Sequence, residues 1–173
     1  MSINLQPGDR FPLNVKFNYI PFEPNSQSCR QPIKFNCDEQ FKGKKVIIVS
    51  IPAAFSPTCS ENHIPPFIER LPHFLSKGID LIVVLSANDP FVMNAFAHHL
   101  GVKNNKIVFV NDPSACFSKS IGFHIEDSGN SNGMGIRSGR YAIIIDNLIV
   151  RYCSMEIKRT VNVSSADTLL SKL

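Results

Sequence analysis

Blocks of apolar and polar positions long enough to predict elements begin at Lys45. Val46–Ile51 is a continuous apolar run, the pattern of a strand covered on both faces, and with its preceding lysine it is read as strand Lys45–Ile51. From Cys59 to Ser76 the apolar positions Ile64, Phe67, Ile68, Leu71 and Leu75 follow a helical spacing. Pro65 and Pro66 remove two backbone donors inside that stretch, so a kink is expected there. A second apolar strand, Asp80–Ser86, precedes a helix over Phe91–Leu100 that stops at Gly101. Ile107–Val110 is a short third strand and Ala115–Ile121 a short helix ending at Gly122.

Residues 124–138, dominated by Gly, Ser and Asn, are expected to form a long loop. Tyr141–Ile145 and Leu148–Cys153 flank Asp146-Asn147, which reads as a two-residue hairpin turn. Ser164 or Ser165 can cap a last helix, Ala166–Leu173. The first forty residues, rich in Pro, Asn, Gln and Ser with apolar patches such as Val15–Ile20, read as an irregular or hairpin-forming lead-in. Crossover helices imply parallel strands in the first half, and the late hairpin adds antiparallel ones. The expected class is therefore α/β: a mixed β-sheet with helices on both faces, one domain over residues 1–173.

Composition narrows the function classes. Hydrophobic residues make up 43% and charged residues 18%, which is ordinary for a globular chain. The net charge of +4 is not gathered into a block; Lys42, Lys44 and Lys45 read as a solvated strand entrance rather than a nucleic-acid patch. No apolar run approaches the roughly 18 residues that a membrane span needs, and the N-terminus lacks a secretory pattern. Five cysteines, at 29, 37, 59, 116 and 153, contain no C-x-x-C pair. A reducing compartment with one or two reactive thiols fits better than a disulfide scaffold or a zinc site. No metal, haem, flavin or nucleotide motif is present, so no cofactor is expected.

The candidate chemistry sits at Pro52-Ala53-Ala54-Phe55-Ser56-Pro57-Thr58-Cys59, where an apolar strand gives way to a helix. A cysteine in a first helical turn faces unpaired N–H groups and the positive end of the helix dipole. Both favour thiolate over thiol, so Cys59 is expected to react as an anion near neutral pH. Ser56 supplies a hydroxyl that can bond the sulfur or cap the helix. His63, four residues on, shares a helical face with Cys59; alone it suggests a Cys–His pair, as in a hydrolase, but no third orienting residue is visible. His98 and His99 lack the i,i+4 spacing of a metal pair.

The segment P-A-A-F-S-P-T-C resembles the active-site segment of the type II (peroxiredoxin-5) peroxiredoxins, with the nearest likeness to the fungal alkyl hydroperoxide reductases and peroxisomal peroxiredoxins. The resemblance runs through Cys59–Phe67, Asn88–Phe91, Asn111–Phe123 and Ser138–Ala142, in the family's order. It implies a thioredoxin-like fold and a thiol-dependent peroxidase acting on hydrogen peroxide and alkyl hydroperoxides. It casts Cys59 as the peroxidatic cysteine, Pro52 as the shielding proline, Ser56 as a hydroxyl donor and Arg140 as the cation beside sulfur and peroxide. Arg137 lies in the loop without an equally strong match, and His63 is read as structural or supporting. Phe55 and Phe123 are expected near the site, where they accommodate an organic peroxide.

The same resemblance points to Cys29, in P-N-S-Q-S-C-R-Q-P, as the resolving cysteine; Cys153 is its rival, Cys37 and Cys116 are read as inert, and a one-cysteine cycle with glutathione stays open. Thioredoxin or glutathione/glutaredoxin is the implied reductant, and a homodimer the implied assembly. Ser171-Lys172-Leu173 spells a peroxisomal address for an import receptor, with the cytoplasm as a further location. The competing reading is a peroxide-sensing or holdase protein that lacks catalytic turnover.

Overall fold

The computed structural model describes residues 4–24, 30–125 and 133–173. Cys29 lies outside the described residues, as does the middle of the expected loop at 124–138. Strands β1 (Lys16–Tyr19) and β2 (Ile33–Asn36) pair antiparallel, so the lead-in is a hairpin, and it runs into a helix that the sequence pattern did not predict, α1 (Cys37–Phe41). β3 (Lys45–Ser50) follows. The expected kinked helix is three pieces: a π-helix over Thr58–His63, then α2 (Pro65–Glu69) and α3 (Leu71–Ser76). Pro65, Pro66 and Pro72 each lack the N–H that would continue the preceding helix, and the breaks fall at Ile64 and Arg70.

β4 (Leu81–Ser86) leads to α4 (Pro90–His99), capped by the Asp89 carboxylate, which accepts from the N–H groups of Phe91 and Val92. β5 (Ile107–Asn111) is followed by a 3-10 turn at Pro113–Ala115 and α5 (Cys116–Ser120). The expected loop at 124–138 carries a small two-stranded pairing, β6 (His124–Ile125) with β7 (Arg137–Ser138), so Arg137 sits on a strand. β8 (Tyr141–Asp146) and β9 (Ile149–Met155) form the late hairpin, and α6 (Ala166–Lys172) closes the chain, capped by Ser165.

The hairpin turn is shifted by one residue from its expected place. Asp146 pairs with Ile149, and the two turn residues with positive φ are Asn147 (46°) and Leu148 (68°). Leucine is a poor choice for that backbone, but its side chain is buried in the core, so burial outweighs local preference.

Seven strands form one sheet in the order β2-β1-β5-β4-β3-β8-β9, with β3, β4 and β5 parallel and the flanking pairs antiparallel. The mixed sheet agrees with the expectation. Successive residues of a strand face opposite sides, and the core divides accordingly. Val46, Ile48, Val83, Leu85, Ile143 and Ile145 face one side, packed with Phe41 and Phe117. Ile47, Val49, Ile82, Val84, Ala142 and Ile144 face the other, with Phe67, Phe74, Phe96 and Leu169. Both faces therefore carry helices, and the second one also holds Cys59.

Candidate active site

β3 ends in the middle of the sheet, and the chain turns from it into the π-helix over Cys59. Three contacts hold this turn. The Ile51 N–H donates to Leu85 O (2.9 Å), the Ala54 N–H to Asn88 Oδ1 (2.9 Å), and Asn88 is itself bonded by Ser86 Oγ (2.8 Å). Phe55 takes a left-handed φ of 62° and packs its ring on Phe96 and His99. The Ser60 N–H donates to Ser56 O (2.9 Å) and the Ile64 N–H to Cys59 O (3.2 Å), winding the segment that carries the sulfur. Cys59 is completely buried.

Arg140 enters at the start of β8, next to β3 in the sheet. Ser50 Oγ donates to Gly139 O (2.9 Å) and Ser138 Oγ to Ile51 O (3.0 Å), so residues 138–140 are stitched to the end of β3. Gly139 is required by close approach: a Cβ there would lie 2.6 Å from Met155 Cε and 2.8 Å from Phe123 O. Arg140 Nη2 reaches Cys59 Sγ at 3.5 Å, while Nη1 donates to His63 Nδ1 at 2.8 Å. The opposite ring nitrogen of His63 donates to Ser164 O at 2.9 Å, which fixes the tautomer with its proton on Nε2. Burial, with the Arg140 charge adding to it against the opposing Ser164 bond, pushes the His63 imidazole down to about 4, so the ring is neutral.

The sequence-predicted residues are therefore only partly gathered. Cys59 and Arg140 meet. Pro52 and Arg140 line a cleft of about 400 Å³, together with His124, Ile125, Met155 and Ile157. The Ser56 hydroxyl instead donates to Ala53 O (2.9 Å), in neither of its two expected roles, since no side-chain bond caps the π-helix. Phe55 and Phe123 do not line that cleft; its apolar side comes from Ile125, Met155 and Ile157. The Cys–His pairing is not formed either, because both His63 nitrogens are engaged elsewhere and the ring has no free base to offer.

The cysteines divide by sheet face. Cys153 and Cys37 pack on the side opposite Cys59. Burial, reinforced by Asp9, pushes the Cys153 thiol up to about 12, and burial and Asp38 raise Cys37 as well. Cys116 is exposed. Sequence reasoning missed Glu156, met Asn88 only as the first residue of a family segment and saw in Ser164 only a cap; the contacts that bring Asn88 to Ala54 and Ser164 to His63 join residues far apart in the chain, for which local pattern carries no signal.

The redoxin family profile matches residues 6–170. The chain is 43% identical to a putative peroxisomal peroxiredoxin of Lipomyces kononenkoae over 168 residues, covering 95% of this chain and 99% of that one. The chain belongs to the redoxin family, as a peroxiredoxin. Among solved structures, reduced Prx3 from Vibrio vulnificus in complex with H2O2 superposes with a TM-score of 0.83 at 33% identity, covering 96% and 94% of the two chains. Peroxiredoxin 5 from Alvinella pompejana superposes at 0.77 with 27% identity, covering 97% of each. The fold is thus thioredoxin-like, as expected, and the enzyme class is that of a thiol peroxidase.

Proposed function

We propose that this peroxiredoxin reduces hydrogen peroxide and alkyl hydroperoxides through Cys59, with Arg140 as the cation that holds both sulfur and peroxide. The supporting observation is the 3.5 Å approach of the Arg140 guanidinium to a fully buried sulfur. The Cys59 thiolate attacks the terminal oxygen of ROOH. The S–O bond forms as O–O breaks, leaving sulfenic acid and an alkoxide that takes up a proton to leave as alcohol, or as water from hydrogen peroxide. Negative charge passes from sulfur to the departing oxygen, and a guanidinium already oriented in a water-poor site stabilises it in both places. Pro52 walls the cleft without offering an N–H, and the apolar side of the cleft suits an alkyl group. Ser56, whose hydroxyl donates to Ala53 O in the resting chain, must release that bond before it can serve the sulfur or the peroxide.

Sulfenic acid then condenses with the Cys29 thiol, releasing water and forming a disulfide that thioredoxin or glutathione/glutaredoxin reduces. The opposite-face placement of Cys153 supports Cys29 over its rival. The protein works as a homodimer of one-domain subunits, with Ser171-Lys172-Leu173 as a peroxisomal import address. Ser171 and Lys172 are exposed, while Leu173 packs partly against the core and Lys172 Nζ lies 5.8 Å above the Tyr152 ring. Non-reducing electrophoresis after a stoichiometric peroxide pulse tests the cycle. A Cys29-dependent disulfide that survives Cys153→Ser and is lost in Cys59→Ser is expected. Repeated turnover with a thiol reductant separates the enzyme from a peroxide sensor, which consumes one equivalent and stops.

A further inference from the structure

β9 ends one residue before Glu156, a buried glutamate that also lines the cleft of Pro52 and Arg140 and has no part in the peroxidase steps above. The Glu156 carboxylate collects four donors from the segment that follows it. Oε1 accepts from the Asn162 N–H (2.6 Å), the Ser164 N–H (3.0 Å) and Ser164 Oγ (2.9 Å), and Oε2 accepts from Thr160 Oγ1 (2.9 Å). Burial alone raises this carboxyl, but those N–H and O–H groups outweigh it and hold it below the usual range, so it is ionised. The Ser164 carbonyl, placed by this clasp, is the acceptor for His63, and His63 is the acceptor for Arg140. The Glu156 N–H also donates to Arg140 O at 2.8 Å. A hydrogen-bonded circuit therefore closes: Arg140 side chain, His63, Ser164, Glu156, Arg140 backbone.

We propose that Glu156 is a positioning residue that sets where the Arg140 guanidinium lies against Cys59, acting through the Ser164 carbonyl and His63. One residue ties Arg140 at both ends, its backbone directly and its side chain through two intermediaries. Without the clasp, residues 160–164 lose their shared acceptor, the Ser164 carbonyl moves, and His63 no longer presents Nδ1 to Nη1. The inference rests on reading Cys59 as the reactive sulfur.

Two substitutions separate geometry from charge. In Glu156→Gln, Oε1 keeps the Asn162 and Ser164 donors and the amide meets the Thr160 hydroxyl, so the clasp survives uncharged. In Glu156→Ala it is gone. Iodoacetamide alkylation of Cys59 in the full, reduced chain, followed by peptide mass spectrometry from pH 4 to 9, reports the thiolate; stopped-flow reaction with hydrogen peroxide reports the chemistry. Glu156→Ala is expected to displace the alkylation profile to alkaline pH and slow the peroxide reaction about tenfold or more, while Glu156→Gln stays within about twofold. A fold left intact by circular dichroism with an unmoved profile in Glu156→Ala overturns the proposal, as does a Glu156→Gln protein impaired as much as Glu156→Ala. Should Glu156→Ala fail to fold, the Thr160→Val/Ser164→Ala pair removes only two hydroxyl donors. A shift of the same sign supports the proposal, and no shift overturns it. A wild type inert to peroxide sinks the peroxidase reading yet leaves the alkylation profiles to decide this one.

Discussion

Acidification should destabilise this protein through His63, and the size of the effect follows from its burial. The ring is fully buried and neutral, held down to about 4, whereas in the unfolded chain it titrates at its ordinary 6.5. A base whose folded value is depressed contributes stability that is complete above the unfolded value. That stability is lost as pH falls through the window from 6.5 toward 4, because only the unfolded chain binds the proton there. Taken from pH 7 to pH 5, the linkage amounts to about 2 kcal/mol of lost stability, and to about 3 kcal/mol when the whole window has been crossed. Glu156 loses its own contribution at lower pH, below the ordinary carboxylate value, and Asp112, raised chiefly by burial, opposes the trend. The single-residue effect is therefore read as a difference. Urea unfolding of wild type and His63→Gln at pH 7, 6 and 5 provides it, since glutamine keeps a donor toward Ser164 but does not titrate. The wild-type curve should fall about 2 kcal/mol further than the variant's. Parallel curves refute the argument, because they mean that His63 is not the buried neutral base described here.

Two further outcomes test the surrounding geometry. Arg140→Lys keeps the charge but loses the planar fork that serves Cys59 and His63 together, so the rate with peroxide should fall roughly 100-fold in stopped-flow measurements with little change in the circular dichroism spectrum. Gly139→Ala places a methyl against Met155 and the Phe123 carbonyl; the methionine end can yield but the carbonyl cannot, since it accepts the Gly139 N–H. A loss of about 1–3 kcal/mol is expected, seen as a lower thermal midpoint, together with slower peroxide reaction because Arg140 is the next residue.

Much of the frame was legible in one dimension. Continuous apolar runs predicted β3, β4 and β5, and prolines predicted the break after the π-helix, while the family resemblance of P-A-A-F-S-P-T-C and of Ser138–Ala142 pointed to Cys59 and Arg140 as candidate sulfur and cation. The strands and the break are local signals, carried by side chains that need burial on two faces and by backbone donors that proline lacks. The hairpin register was not local: Leu148 accepts a left-handed backbone because its side chain reaches the core. Nor was the Ser56 hydroxyl, whose partner is decided by the path of the turn, or the separation of Cys153 from Cys59 by the thickness of the sheet.

By itself, then, the amino-acid order determined the layered α/β frame and where its candidate thiol, Cys59, would emerge. Only the tertiary structure decided that Glu156 belongs to that site and that His63, read from the sequence as structural or supporting, links Arg140 to Ser164, because Arg140 lies 77 residues from the histidine and Ser164 lies 101 from it. Hydrogen bonds between such distant groups form when the sheet and α6 bring them within about 3 Å, and no periodicity along the chain encodes that meeting.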